Sequence, residues 1–139
     1  MYILDTDHLS VLERKGANAQ RILERLNTVE PNQISTTIIS YEEQVRGWLS
    51  YIARAQTEER QVEAYKQLKN QLNNYCAIPV IEFDLEAIRE FNRLKKLYPR
   101  LGTMDLKIAA IARVNQAILL TRNSCDFGQI SGLSIEDWT

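Results

Sequence analysis

Five short apolar runs, separated by longer stretches with helical spacing, set the pattern of this chain. Tyr2-Ile3-Leu4 is the first, and it ends abruptly in Asp5, Thr6 and Asp7. Ile34 to Ile39, with Thr36 and Thr37 inside it, is rich in β-branched residues and reads as a second strand. Ala77 to Ile81 is a third, shorter one, and its Pro79 favours an edge position. Ala117 to Leu120 makes a fourth and Leu133 to Ile135 a fifth. Apolar runs without alternation suit strands covered on both faces, as in a parallel sheet. Strands alternating with helices therefore predict an α/β sandwich: a central, mostly parallel sheet of four to five strands with helices on both faces.

The intervening stretches carry helix signals of their own. Thr6 or Asp7 is placed to cap a helix running to about Arg14, with Leu9, Val11 and Leu12 as its apolar surface. A helix over 18–29 shows Ile22, Leu26 and Val29 on one face, and Pro31-Asn32 breaks it. Ser40 is expected to open the next, with Val45, Trp48, Leu49 and Ile52 at helical spacing. The polar Thr57-Glu58-Glu59 interrupts it. The following helix then carries Val62, Tyr65, Leu68, Leu72 and Tyr75 as its stripe, so that the two form a hairpin packed on the sheet. Asp84 caps a helix bearing Leu85, Ile88, Phe91 and Leu94, which ends before Pro99. Thr103 opens a helix that is apolar almost all round and must be buried on both sides.

A length of 139 residues fits one domain over 1–139 with a substantial core. Net charge is −1, from 17 basic and 18 acidic residues, so nucleic-acid binding would need a local basic patch rather than a global field. No apolar stretch approaches the roughly 20 residues of a membrane span. Asp5 and Asp7 interrupt any signal-peptide pattern, and Cys76 and Cys125 have no metal-type spacing. A cytoplasmic location is expected. The chain has a single histidine, His8, which excludes acid–base chemistry on a His pair and disfavours zinc sites built on several His and Cys. Carboxylates are left to carry any catalysis.

Ligand chemistry in open α/β sheets gathers just beyond the carboxyl ends of the strands. Asp5 ends the first strand there. Glu43 falls in the first turn of the helix after the second strand, Asp105 in the first turn of the helix from Thr103, and Asp126 shortly after the fourth strand. With parallel strands, the acids after strands one, two and four gather at one sheet edge, and Asp105 joins them if its helix N-terminus points there. Two ionised carboxylates about 5 Å apart, at an effective dielectric near 20, repel by roughly 3 kcal/mol. That is about two pKa units. Four such groups stay charged together only around a compensating cation. Oxygen donors without His or Cys select Mg²⁺ or Mn²⁺, and such a pocket suits phosphoryl transfer. Each acid alone has an ordinary use. Ser40-x-x-Glu43 is a capping box, Asp105 favours a helix dipole, and Asp126 suits a turn. Their joint placement carries the functional reading.

Four ordered segments span the chain: Tyr2-Ile3-Leu4-Asp5-Thr6-Asp7, Glu43-x-x-x-Gly47, Asp105-Leu106-Lys107-Ile108-Ala109-Ala110, and Thr121-Arg122-Asn123-x-x-Asp126-Phe127. Together with the ending Gly132-Leu133-x-Ile135-x-Asp137-Trp138, they resemble the PIN-domain ribonucleases, and among these the VapC-type toxins of bacterial toxin–antitoxin pairs. The resemblance implies a PIN-like three-layer sandwich and a Mg²⁺- or Mn²⁺-dependent endoribonuclease whose acidic quartet is Asp5, Glu43, Asp105 and Asp126. Asp5 and Asp105 would ligate metal directly. Glu43 would hold metal or help deprotonate the attacking water, and Asp126 would hold a second ion or an ordered water. Thr6, Asp7, Thr121 and Asn123 match polar positions that support the site. Glu42 is a rival to Glu43, but Glu43 has the family's spacing to Gly47. A cognate antitoxin, covering the helix-hairpin groove and the acidic site, and a homodimer are implied as partners.

Asp7 stands where the family motif usually has Asn, which adds negative charge near the metal. It also brings the N-terminus towards the Asp-x-Asp of haloacid-dehalogenase-like phosphatases, although Leu9 stands where those expect Thr or Val. A non-catalytic module that keeps the fold and its partner groove is the other alternative. Among the basic residues, Arg46 and Arg122 lie nearest the acids in sequence and are the candidates for RNA phosphate contact. Trp48 and the tyrosine stripe read as core or dimer surface, His8 as a surface or cap residue, and Cys125 as a small buried one.

Overall fold

The computed structural model describes residues 1–139. Strand β1 (Tyr2–Leu4) lies at the centre of one sheet, flanked by β2 (Ile34–Thr37) and β4 (Ile118–Leu120). The edges are β3 (Val80–Ile81), beside β2, and β5 (Ser134–Glu136), beside β4. All four pairings are parallel, with Tyr2 opposite both Ile34 and Ile118, Thr36 opposite Val80, and Ile118 opposite Ser134.

Alternation along the central strands divides the core in two. Ile3 and Leu119 face one side, where they meet α5 (Leu85–Leu97), α6 (Thr103–Val114) and the short α7 (Ser124–Phe127) through Phe91, Leu94, Ile108, Ile111 and Phe127. Leu4 and Leu120 face the other, against Val11 of α1 (Thr6–Arg14), Ala19 and Ile22 of α2 (Ala17–Leu26), and Trp138. Helices thus cover both faces, giving the expected three layers. As its composition requires, α6 is enclosed from Leu106 to Ala112 apart from the Lys107 side chain. Helices α3 (Ile38–Arg54) and α4 (Glu58–Cys76) pack as a hairpin, and Ile39 roots α3 in the first core.

Several local expectations are corrected. β2 stops at Thr37, because the Thr37 hydroxyl accepts from the Ser40 amide at 3.1 Å and so caps α3. Ile38 and Ile39, β-branched as they are, form the first helical turn; burial of Ile39 outweighs its strand propensity. Helix α2 ends at Leu26, and only Val80 and Ile81 of the third run pair as a strand. On α4 the buried positions are Ala64, Gln71 and Tyr75, whereas Val62, Tyr65 and Leu72 are more than half exposed. Gln71 is tolerated inside because it donates to Glu13 Oε1 at 2.8 Å, which rotates the buried face away from the apolar stripe. Cys125 is exposed rather than buried.

The strand order also places the site. From β1 the chain builds outwards through β2 to β3, then returns to the opposite side of β1 to add β4 and β5. The direction of winding therefore reverses between β1 and β4, and a crevice opens beyond the carboxyl ends of these two neighbours. Asp5 follows one of them directly and Thr121 the other.

Candidate active site

Asp5 is 4% exposed, and its backbone N–H donates to Leu120 O at 3.1 Å, continuing the β1–β4 ladder one step past the strands. Its carboxylate has a structural duty as well. Oδ1 accepts from the His8 amide at 2.8 Å, so Asp5 caps α1, not Thr6 or Asp7 as expected. Oδ2 is left for other partners. Thr6, released from capping, turns its hydroxyl across to α3, where Oγ1 donates to Glu43 Oε1 at 2.7 Å and lies 3.1 Å from Ser40 Oγ.

The capping of α3 by Thr37 settles what Glu43 does not do. With Thr37 as the cap, Glu43 lies in the second turn of α3, not the first, and Ser40-x-x-Glu43 is not a capping box. Its half-buried carboxyl has no helix end to satisfy. Its pKa is raised, chiefly by burial and then by the charges of Asp7, Asp5 and Glu42, against the lowering effect of the Thr6 hydrogen bond. The rival Glu42 instead pairs with Arg46 at 2.5 Å on the next face of the helix.

Asp105 lies in the first turn of α6, whose cap, Gly102, offers no side chain. Its carboxyl is pushed up to about 6, first by burial and then by Glu43, Asp126, Asp5 and Asp7. Asp126 sits on α7, an element the sequence pattern did not reveal, and is fixed there by Asn123. Asn123 Nδ2 donates to Asp126 Oδ2 at 3.0 Å, and Asn123 Oδ1 accepts from the Asp126 amide at 3.3 Å. Thr121, fully buried, in turn accepts from the Asn123 amide at 2.9 Å. Asp5, Glu43, Asp105 and Asp126 are therefore brought into one electrostatic neighbourhood, with the exposed Asp7 at its edge.

No ion pair in the molecule puts a lysine or arginine on any of the four acids. Nor do three of them stand close enough to form a closed metal-ligand set. The donors are hard oxygens, one of them buried, in mutual repulsion and without a basic counter-ion. That chemistry fits an oxygen-seeking divalent cation that retains waters, not a caged structural metal. Arg46 is paired with Glu42, whereas Arg122 is exposed, takes part in no ion pair and lies near enough to Asp137 to lower its pKa.

His8 is the residue that the sequence reading misplaced. It is 0% exposed. The Trp138 amide donates to its Nε2 at 3.1 Å, so the ring proton belongs on Nδ1, which lies 3.4 Å from Asp5 Oδ1. The imidazole thus stands between the first acid and the segment after β5. Trp138 is itself packed on Tyr2 and under Arg25, and its Nε1 donates to Glu136. A usable signal was present: His8 shares a helix face with Val11 and Leu12, at i+3 and i+4.

Known proteins resemble this chain over nearly its whole length. Ribonuclease VapC1 of Haemophilus influenzae (strain R2866) is 29% identical over 140 aligned positions, covering 100% of this chain and 98% of the relative. The Rickettsia felis VapBC2 structure, bound to a promoter DNA fragment, contains a chain that superposes with a TM-score of 0.76 at 21% identity, over 99% of this chain and 98% of that one. For VapBC-1 of nontypeable Haemophilus influenzae the TM-score is 0.72 at 24% identity, with 99% and 97% covered. The PIN-domain pattern itself matches residues 2–132, from β1 through the acids of α3, α6 and α7. With that match across nearly the whole chain, a parallel sheet wound as described and acids at its switch point, the chain belongs to the PIN-domain family.

Proposed function

We propose that this chain is a metal-dependent endoribonuclease, the toxin of a toxin–antitoxin pair, acting as one domain over 1–139. The observation that carries the reading is that Glu43, Asp126 and Asp5 all act on the charge of Asp105, while none of the four acids is paired with a lysine or arginine. The relatives support it: the Haemophilus protein is called a ribonuclease, and the structural neighbours include a toxin–antitoxin complex from Klebsiella pneumoniae.

In this reading Asp5 and Asp105 would hold the cation, Mg²⁺ or Mn²⁺ by the hardness of the donors. When bound, such an ion polarises the phosphate and acidifies water. Glu43, half-buried and raised in pKa, takes the proton of the attacking water, and the Thr6 hydroxyl fixes which of its oxygens faces the crevice. Asp126, held by Asn123 and Thr121, orders a further water or a second ion. Asp7 adds charge at the rim.

Two surfaces fit the partners. A cavity of about 620 Å³ between α1, α2 and α4, lined by Leu9, Leu12, Leu26, Ile34 and Ile78 among others, suits an antitoxin segment. The exposed Leu49, Val62, Tyr65 and Leu72 of the α3–α4 hairpin suit a second copy of the chain. No helix is long and apolar enough to cross a membrane.

The test is cleavage of total RNA by purified protein with Mg²⁺ or Mn²⁺, beside EDTA and Asp5→Asn. Asparagine caps a helix as well as aspartate does, so that variant keeps α1 and removes only the charge. Metal-dependent cuts that fall by about a hundredfold or more in Asp5→Asn are expected. Unchanged cutting in Asp5→Asn would remove the quartet from the chemistry.

A further inference from the structure

A cleft of about 460 Å³ lies between α1 and α3 and opens onto Glu43. Thr6, Ser10, Arg14 and Glu13, whose carboxylate accepts from Gln44 and Gln71, line it from α1; Gln44, Gly47, Trp48, Tyr51 and Arg54 line it from α3. On α3, Glu43, Gly47, Tyr51 and Arg54 follow one another at i, i+4, i+8 and i+11, which is one face of the helix running roughly 16 Å away from the catalytic acid. Trp48 and Tyr51 meet edge to face, with ring centroids 5.7 Å apart. Arg14 and Arg54 are exposed, and neither takes part in an ion pair.

Gly47 is the telling member. Glycine inside a helix loses stability relative to alanine. Packing does not demand it here, because a Cβ built on Gly47 meets nothing within 4 Å. The gap therefore belongs to the cleft, directly one turn from Glu43. An aromatic pair, an open backbone and two uncommitted arginines, continuous with a phosphodiester-cleaving site, have the makings of a single-strand groove. Stacking holds bases without regard to sequence, and arginine holds the backbone.

We propose that this cleft is a subsite for single-stranded RNA on one side of the scissile bond. The strand passes over Gly47, a base stacks on Trp48 or Tyr51, and Arg14 and Arg54 hold its phosphates. The proposal rests on the ribonuclease reading above, and its test separates the two. Binding of a short fluorescein-labelled single-stranded RNA is measured in EDTA, where no cutting occurs, for wild type, Gly47→Leu and Trp48→Phe; cleavage is measured with Mn²⁺ for wild type and Gly47→Leu. Gly47→Leu should raise Tm by about 3 °C, since leucine favours the helix and fills open space, which shows the variant to be folded. The same variant should bind RNA about tenfold more weakly and cut it correspondingly less, with Mn²⁺ affinity unchanged. RNA should quench tryptophan emission in wild type and leave it unmoved in Trp48→Phe. Wild-type binding and cutting in Gly47→Leu would overturn the subsite alone. Loss of binding to a partner protein with RNA binding intact would overturn it in favour of a peptide groove. A wild-type protein that neither binds nor cuts RNA would overturn the ribonuclease reading and the subsite with it.

Discussion

Asp105 is protonated more readily in the folded protein than in the unfolded chain, because folding buries it among other acids. Between the unfolded value of 3.8 and the folded value of about 6, the native state binds the extra proton. Stability from this group is therefore fully present below the lower value and is lost as pH rises through the higher one. Metal-free protein should become more stable on going from pH 7 to pH 5, by about 1 kcal/mol once solvent screening of a half-exposed group is allowed for. In Asp105→Asn this gain should disappear, with a higher metal-free Tm at pH 7; thermal melts across that range in EDTA check both. At this scale the sequence was readable where chemistry and strand ends coincide. Asp5 directly follows β1 and Asp105 lies in the first turn of α6, as their spacing predicted, whereas Glu43 lies one turn further into α3 than expected. Which residue caps was not readable, because a one-residue difference in where α1 starts decides between Asp5 and Thr6. His8 was misplaced for a related reason: its burial depends on Trp138, which is 130 residues away.

The helices meet around a polar latch that no local pattern announces. Tyr75 of α4 donates to Gln44 Oε1 at 2.5 Å, and Gln44 Nε2 donates to Ser10 and Glu13 of α1. Gln71 donates to the same Glu13 carboxylate. Burial and the nearby Glu13 raise the Tyr75 pKa, so the hydroxyl remains a donor throughout the neutral range. Tyr75→Phe deprives the buried Gln44 oxygen of its donor and should cost about 1–2 kcal/mol. The urea midpoint should fall with its slope unchanged. Because Gln44 is the neighbour of Glu43, the latch also sets how α3 leans on α1. Apolar periodicity predicted α4 as a helix and put Tyr75 inside correctly, but it put Val62, Tyr65 and Leu72 inside as well and missed Ala64 and Gln71. Counting apolar residues cannot show that Gln71 and Tyr75 will find partners on other helices.

Across the whole molecule, near-neutral charge means that any hold on RNA is local, and that a cation at the acids is the largest single electrostatic change open to the fold. Mn²⁺ at a hundred times its Kd should stabilise wild type by about 2.7 kcal/mol and leave Asp5→Asn nearly unmoved, as differential scanning calorimetry would record. The layered architecture was legible from alternating runs, whereas the strand order was not, since edge and centre are settled by packing between segments far apart in sequence. That order has a consequence in time. Asp5 is synthesised before the strand that extends its ladder and the tryptophan amide that fixes its histidine, both of which lie in residues 118–139. Until Trp138 is made, the chain carries the first acid of the proposed quartet without the contacts that fix it. A product that stops short of β4 keeps Asp5 and lacks the strand and histidine contacts that hold it, so on the proposed function it should cut no RNA.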